Sequence, residues 1–401
     1  MANQTAENRR ILTTHVGSLV RPPELIELLL TLQEGREVPE DVLDDCLSRS
    51  VHDVVVEQAA NNVDIVSDGE FGKPISWAQY ALTRLGGVEV RTDVPRKIGF
   101  NIGKDRTDFA DFYKEYEAAA GIAGMGKQTQ LRPGAWTVTG PVSYSGGAYL
   151  QADIRRLKEA MAASGVKQGF LPVVAPTSAI PTLVDRYYED EEKLLFAVAD
   201  ALAVEYRAII DAGLYLQVDD AYLASMYDVM VPRSSFGEYR SWAERGVQAL
   251  NRALSGLPQE RIRYHVCWGS WNGPHSNDVN LRDIVDLILA VNAGAYALEM
   301  ANPRHEHEWR VWETVRLPDG KRLIPGVVTH STNIVEHPEL VAERLTRLAR
   351  LVGRENVIAG TDCGFAQGPF TRRVHPSVQW AKLRTLAEGA HLASTELWGG
   401  R

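Results

Sequence analysis

One pattern recurs along this sequence. A short β-rich apolar run ends in glycine or polar residues and is followed by a longer stretch in which apolar residues return at helical spacing. The runs cover residues 11–16, 63–66, 135–139, 214–218, 262–266, 295–298, 324–328 and 357–360. Eight strands alternating with helices is the number that closes a parallel barrel, so the expected fold class is α/β, a (β/α)8 TIM barrel with long βα-loop insertions. Such a barrel can occupy all 401 residues as one unit, and we expect a single catalytic barrel over residues 1–401.

The helical stretches carry their own start and stop signals. Residues 191–211 open on acidic residues, place Leu194, Leu195, Val198, Leu202, Tyr206, Ile209 and Ile210 on one face, and run into Gly213. Residues 338–352 begin with Pro338 and stop at Gly353. Two stretches break the repeat, residues 91–133 and 145–184, and both are read as loop insertions over the active site. The second contains a further strand candidate at 170–174, which competes for a place among the eight.

Composition narrows the chemistry. The net charge is −9 and basic residues are scattered singly among acids, which excludes an electrostatic footprint for nucleic acid or for an anionic membrane. Small-molecule partners are expected. The first ten residues are polar, without the apolar core of a secretory signal, so the expected location is cytoplasmic. A homo-oligomer is compatible with the sequence. Three cysteines, at 46, 267 and 363, are too few and too dispersed for a disulfide framework. Cys46 shares a helical face with Leu43, Leu47 and Val51 and reads as a buried filler.

Reactive residues gather where the predicted strands end: Gly17-Ser18, Asp68-Gly69-Glu70, Gly140-Pro141, Asp219-Asp220, His265-x-Cys267, Glu299, His330-Ser331 and Asp362-Cys363-Gly364. In a parallel barrel these ends meet at one mouth. His265 and Cys267 stand two apart on a strand and so point to one face. Alone, such a pair is equally well a core pair. With Glu299 and Cys363 it completes a tetrahedron of one imidazole, two thiolates and one carboxylate, a set that suits Zn2+. Trp268 and Trp271 are read as pocket walls, and His305-Glu306-His307 as a polar loop behind the site.

These motifs, with Thr13-Thr14-His15-Val16-Gly17-Ser18 and Leu216-Gln217-Val218-Asp219-Asp220, resemble the catalytic barrel of cobalamin-independent methionine synthase and its stand-alone relatives, including epoxyalkane:coenzyme M transferase. The resemblance places zinc ligands on His265, Cys267, Glu299 and Cys363, and homocysteine-binding positions on Ser18, Glu70 and Asp219. It implies a zinc-activated thiol that attacks an alkyl carbon, with methionine biosynthesis as the setting. His330 and Asp219 are the catalytic candidates, His330 as proton donor to the leaving atom. The implied partners are a small-molecule thiol and an alkyl donor. Gly140-Pro141-Val142 is followed by Ser143-Tyr144 where the long methionine synthases place a folate-stacking tryptophan, which leaves the donor open. The alternatives are opening of an epoxide by a zinc-bound thiolate, and a non-catalytic barrel braced by zinc.

Overall fold

The computed structural model describes residues 9–97, 102–120 and 134–399. The expected insertion at 91–133 therefore lies partly outside the described residues. Eight parallel strands form the central sheet: β1 (Leu12–Thr13), β2 (Ile65–Val66), β3 (Gln168–Val174), β4 (Tyr215–Asp219), β5 (Ile262–Val266), β6 (Ala295–Leu298), β7 (Arg322–Val328) and β8 (Ile358–Thr361). β1 pairs with β8, and a parallel bridge between Thr14 and Ile65 joins β1 to β2 and closes the cylinder. This is the (β/α)8 barrel that the repeat predicts.

Seven of the predicted runs fall on these strands; the third does not. Residues 135–139 belong to a strand, Ala135–Tyr144, that pairs antiparallel with Leu85–Arg91 and parallel with Val184–Asp185 in a separate three-stranded sheet. The third barrel position is taken by Gln168–Val174. The physical reason lies in burial: Gln168–Val174 is buried at every position after the first, as a parallel strand covered on both faces must be, whereas Ala135–Tyr144 alternates toward solvent along its second half. Residues 145–184 are accordingly not a loop insertion, because they supply the helix Gly147–Ser164 and β3 itself. The additional sheet and its helices instead lie mainly between β2 and that helix.

Helix ends follow the sequence signals. Asp190 caps Glu191–Asp211 by accepting from the N–H groups of Glu192 and Lys193, and Gly213 adopts a left-handed φ of 85° just beyond it. Ser235 and Glu238 form a reciprocal capping box on Phe236–Ala253. Pro338 opens Pro338–Val352, which ends at Gly353.

Strand parity decides what faces the lumen. Ile65, Phe170, Ala295, Ala297, Ile324 and Ile358 form a small apolar plug inside the barrel, with Leu12 and Tyr215 against it. Tyr264, Val266, Leu216 and Val218 belong to the larger core between strands and helices. Residues of the plug's parity therefore continue inward along each strand: Gln217 and Asp219 on β4, Arg263, His265 and then Cys267 on β5, and Glu299 after β6. The register aligns Asp219 with His265 and His265 with Ala297.

Candidate metal centre

At the C-terminal end of the barrel His265, Cys267 and Cys363 come together, with one donor atom of each within 4.8 Å of the others, all three residues buried. His265 and Cys267 arrive by strand parity. Cys363 arrives through the turn after β8, where the Asp362 carboxylate accepts from the N–H groups of Met300 and Ala301, both at 2.8 Å, and ties that turn to the loop after β6. Both ring nitrogens of His265 are buried without a hydrogen-bond partner, an arrangement that costs free energy unless something fills it.

The two sulfurs share protons unequally. The hydrogen bond from Cys267 holds the Cys363 thiol well below the usual range, against burial and with help from His265 and His330, and the same bond pushes Cys267 well above. Ser270 Oγ donates to Cys363 Sγ at 2.9 Å. Burial lowers the His265 imidazole, but Cys363 and Asp219 outweigh it and leave its pKa raised.

Glu299 stands outside the tight group of three. Its Oε2 accepts from Asn302 Nδ2 at 2.8 Å, while Oε1 is buried and unpartnered. Burial, then Asp362 and Cys363, push its carboxyl well above the ordinary range. Asn302 is fixed in turn, its Oδ1 accepting from the N–H groups of Arg304 at 3.0 Å and His305 at 3.1 Å.

A small cavity opens beside the sulfurs, lined by Ser18, Glu70, Asp219, His265, Cys267 and Cys363 together with Trp77 and Gln367. Six of the eight sequence-selected residues thus share one wall system; Glu299 and His330 do not line it. Glu70 sits in a tight turn with a left-handed φ of 62°, its N–H donating to Asp68 Oδ1 at 2.9 Å. Arg21 donates to the carbonyl of Glu70, and Lys73 Nζ lies 3.0 Å from Glu70 Oε2 with both side chains buried. Room for Glu70 depends on Gly17: at φ 134°, a Cβ there would lie 2.9 Å from Pro172 Cγ and 3.0 Å from Glu70 Oε1. Asp219 accepts from Gln217 Nε2 at 2.8 Å, and burial raises its carboxyl to about 7. Ser18 Oγ donates to the carbonyl of Ala366.

His330 is buried just past β7, its Nδ1 without a partner, and burial lowers its imidazole to about 4. It is therefore neutral at pH 7 and starts with no proton to give. Trp268 is not a pocket wall: it is fully buried, donates to the carbonyl of Val279 at 2.7 Å and packs on His305 with ring centroids 4.4 Å apart. Trp271 does line the adjoining cavity. His305 is buried between two carboxylates, Asp278 at 3.1 Å and Glu308 at 2.9 Å. Sequence reasoning missed Trp77, Ser270, Asn302 and Gln367, all on connections where neither periodicity nor strand ends give a signal. Among the described residues no helix is long and apolar enough to cross a membrane.

The comparisons agree with this fold. A family model described as "Cobalamin-independent synthase, Catalytic domain" matches residues 137–382. The uncharacterized protein YxjH of Bacillus subtilis is 25% identical over 98% of this chain and 97% of its own length. The 2-hydroxypropyl-CoM lyase of Xanthobacter autotrophicus is 23% identical, again over 98% of this chain and 97% of its own. A methionine synthase of Thermococcus kodakarensis is 22% identical over 96% of this chain and 94% of its own. Among solved structures, a B12-independent methionine synthase from Shewanella superposes with a TM-score of 0.73 at 22% identity, covering 98% of this chain and 100% of that one. With more than half of the chain matched by the family model, this protein belongs to the cobalamin-independent synthase catalytic-domain family.

Proposed function

We propose that this chain is a zinc-dependent thiol S-alkyltransferase that transfers a methyl group to the thiol of homocysteine. The observation that carries the reading is the pairing of an unpartnered His265 imidazole with Cys267 and Cys363 on the wall of a cavity that also holds Glu70 and Asp219. One imidazole and two thiols form a donor set suited to zinc, and three tight protein donors leave room for an exchangeable fourth. His265, Cys267 and Cys363 would hold the ion, and Glu299 would be the ligand that yields. Bound zinc would supply the Lewis acidity that keeps the substrate sulfur as a thiolate at neutral pH.

The chain's own residues do the rest. Lys73, 3.0 Å from Glu70 Oε2, holds that carboxylate in place, so Glu70 and Asp219 can take the substrate ammonium. Ser18 spends its hydroxyl proton on Ala366, which leaves its oxygen free to accept from the same ammonium. Trp77 packs over Val16, Ala221, Cys267 and Cys363 and keeps water off the sulfurs. The proton that the thiol loses on binding passes to solvent. As the sulfur–carbon bond forms and the carbon–donor bond breaks, His330 passes a proton from solvent to the departing atom.

A second reading, opening of an epoxide by a thiolate, is favoured by the match to the Xanthobacter lyase. The acidic pair Glu70 and Asp219 supports an amino-bearing thiol over a sulfonate. The test is to add homocysteine, 2-mercaptoethanesulfonate or glutathione to zinc-loaded protein and measure proton release. Homocysteine should release about one proton per site. Release by the sulfonate alone would support the second reading, and release by none would sink both.

A further inference from the structure

Three cavities lie in a row from the sulfurs outward. The metal-side cavity shares Trp77, Ala221, Gly269, Ser270 and Gln367 with a middle cavity, and the middle one shares Ser76, Gln79, Thr182, Gln367 and Arg373 with an outer one of about 300 Å3. Among the described residues the outer walls are largely apolar, with Leu29, Leu32, Trp136 and Phe370 prominent. Arg373 borders both the outer and the middle cavity on that line.

Arg373 differs from the ion-paired arginines of the interior. Arg84 pairs with Glu205 and Asp153, Arg156 with Asp153 and Asp44, and Arg344 with Glu306. Arg21 and Arg263 spend donors on backbone carbonyls. Arg373 donates through Nε to Gln367 Oε1 at 2.6 Å and hydrogen-bonds Tyr116, two neutral partners, and no carboxylate among the described residues lies within ion-pair distance. Arg373 lines both outer cavities. A guanidinium removed from water without a counter-charge is costly, and its planar fork matches a carboxylate, sulfonate or phosphate. Its aim is fixed, because Gln367 also donates to the carbonyl of Gly364, next to Cys363.

We propose that Arg373 is the receptor for an anionic group on the alkyl donor, and that this donor is an amphiphile whose apolar body fills the outer cavity while its reactive carbon reaches toward the sulfurs past Gln367 and Ser270. The assignment to the donor rests on the alkyltransferase reading. The anion is placed on the donor because Arg373 borders the outer two cavities and not the one beside the sulfurs, where Glu70 and Asp219 stand.

The test uses zinc-loaded full-length protein and three probes of one shape: 2-naphthoate, naphthalene-2-sulfonate and the neutral 2-naphthamide. Binding is followed by quenching of tryptophan fluorescence, since Trp77, Trp136 and Trp271 line the row. Wild type should bind both anions about tenfold more tightly than the amide, Arg373→Lys should keep part of that preference, and Arg373→Gln should erase it. Equal binding of anion and amide by wild type, or a preference that survives in Arg373→Gln, overturns the proposal. In parallel, homocysteine and 2-mercaptoethanesulfonate are titrated by proton release. If Arg373→Gln weakens a thiol about tenfold and leaves the naphthalene anions unchanged, the anion belongs to the thiol and the donor assignment is wrong. If wild type releases no proton with any thiol, the alkyltransferase reading fails and takes the donor assignment with it, while the naphthalene series still reports whether Arg373 binds anions.

Discussion

Asp219 and His265 are register partners on adjacent parallel strands, so the carboxylate proposed to hold the substrate ammonium stands directly beside the imidazole proposed to hold the metal. Each favours the charged form of the other. Asp219→Asn should weaken homocysteine by about 10- to 100-fold, or ~1.5–3 kcal/mol, while zinc content stays at wild-type level. Proton-release titration of homocysteine against 2-mercaptoethanol checks this. The amine-free thiol should bind both proteins alike, and an equal loss for both thiols would remove Asp219 from the ammonium site.

The three tight donors and Glu299 should separate on metal titration. Cys363→Ser is expected to lose most bound zinc in competition with a chromogenic chelator, and Glu299→Gln to retain most of it. Asn302→Ala frees the carboxylate that Asn302 holds at 2.8 Å and should weaken zinc no more than Glu299→Gln does. Full zinc occupancy in Cys363→Ser would take Cys363 out of the ligand set.

His305 gives a pH signature of stability. Burial lowers its imidazole, yet the hydrogen bonds it donates to Asp278 and Glu308 overcome that and raise it to about 9. Because the folded pKa lies above the unfolded value of about 6.5, the stabilisation is complete below that pH and is lost as pH rises toward 9; its ceiling is ~3 kcal/mol. Urea unfolding of wild type and His305→Gln should therefore differ strongly at pH 6 and little near pH 10. A difference that grows with pH would contradict a charged His305.

Gly17→Ala forces a Cβ to within 2.9 Å of Pro172 Cγ at a backbone φ of 134°, where side chains are strained. We expect a loss of about 2 kcal/mol or more, and a shifted Glu70. Thermal unfolding together with homocysteine affinity measures both. Unchanged values in each would show that the turn relaxes freely.

Most of the barrel could be read from the residues because its strands are short apolar runs that end where function begins. The exception is instructive. Ala135–Tyr144 and Gln168–Val174 are both β-rich, and choosing between them needed the distinction between one-sided and two-sided burial, visible in Phe170, Leu171, Val173 and Val174 against the alternation after Val138. At the site, His265 and Cys267 followed from parity, and the approach of Cys363 from the barrel's symmetry. Asn302, Gln367 and Arg373 were hidden because their importance comes from hydrogen bonds between loops that only the closed barrel brings together.

The order in which the proposed ligands leave the ribosome differs from the order in which they can work. His265 and Cys267 are made together, but Cys363 follows almost a hundred residues later, beyond the strand that must reach back to β1 before the cylinder closes. A nascent chain halted before β8 would offer an ion only a weak, two-handed grip and an open sheet edge. Tight metal retention should therefore begin only when the last strand docks, which would make bound metal a report that the cylinder has closed.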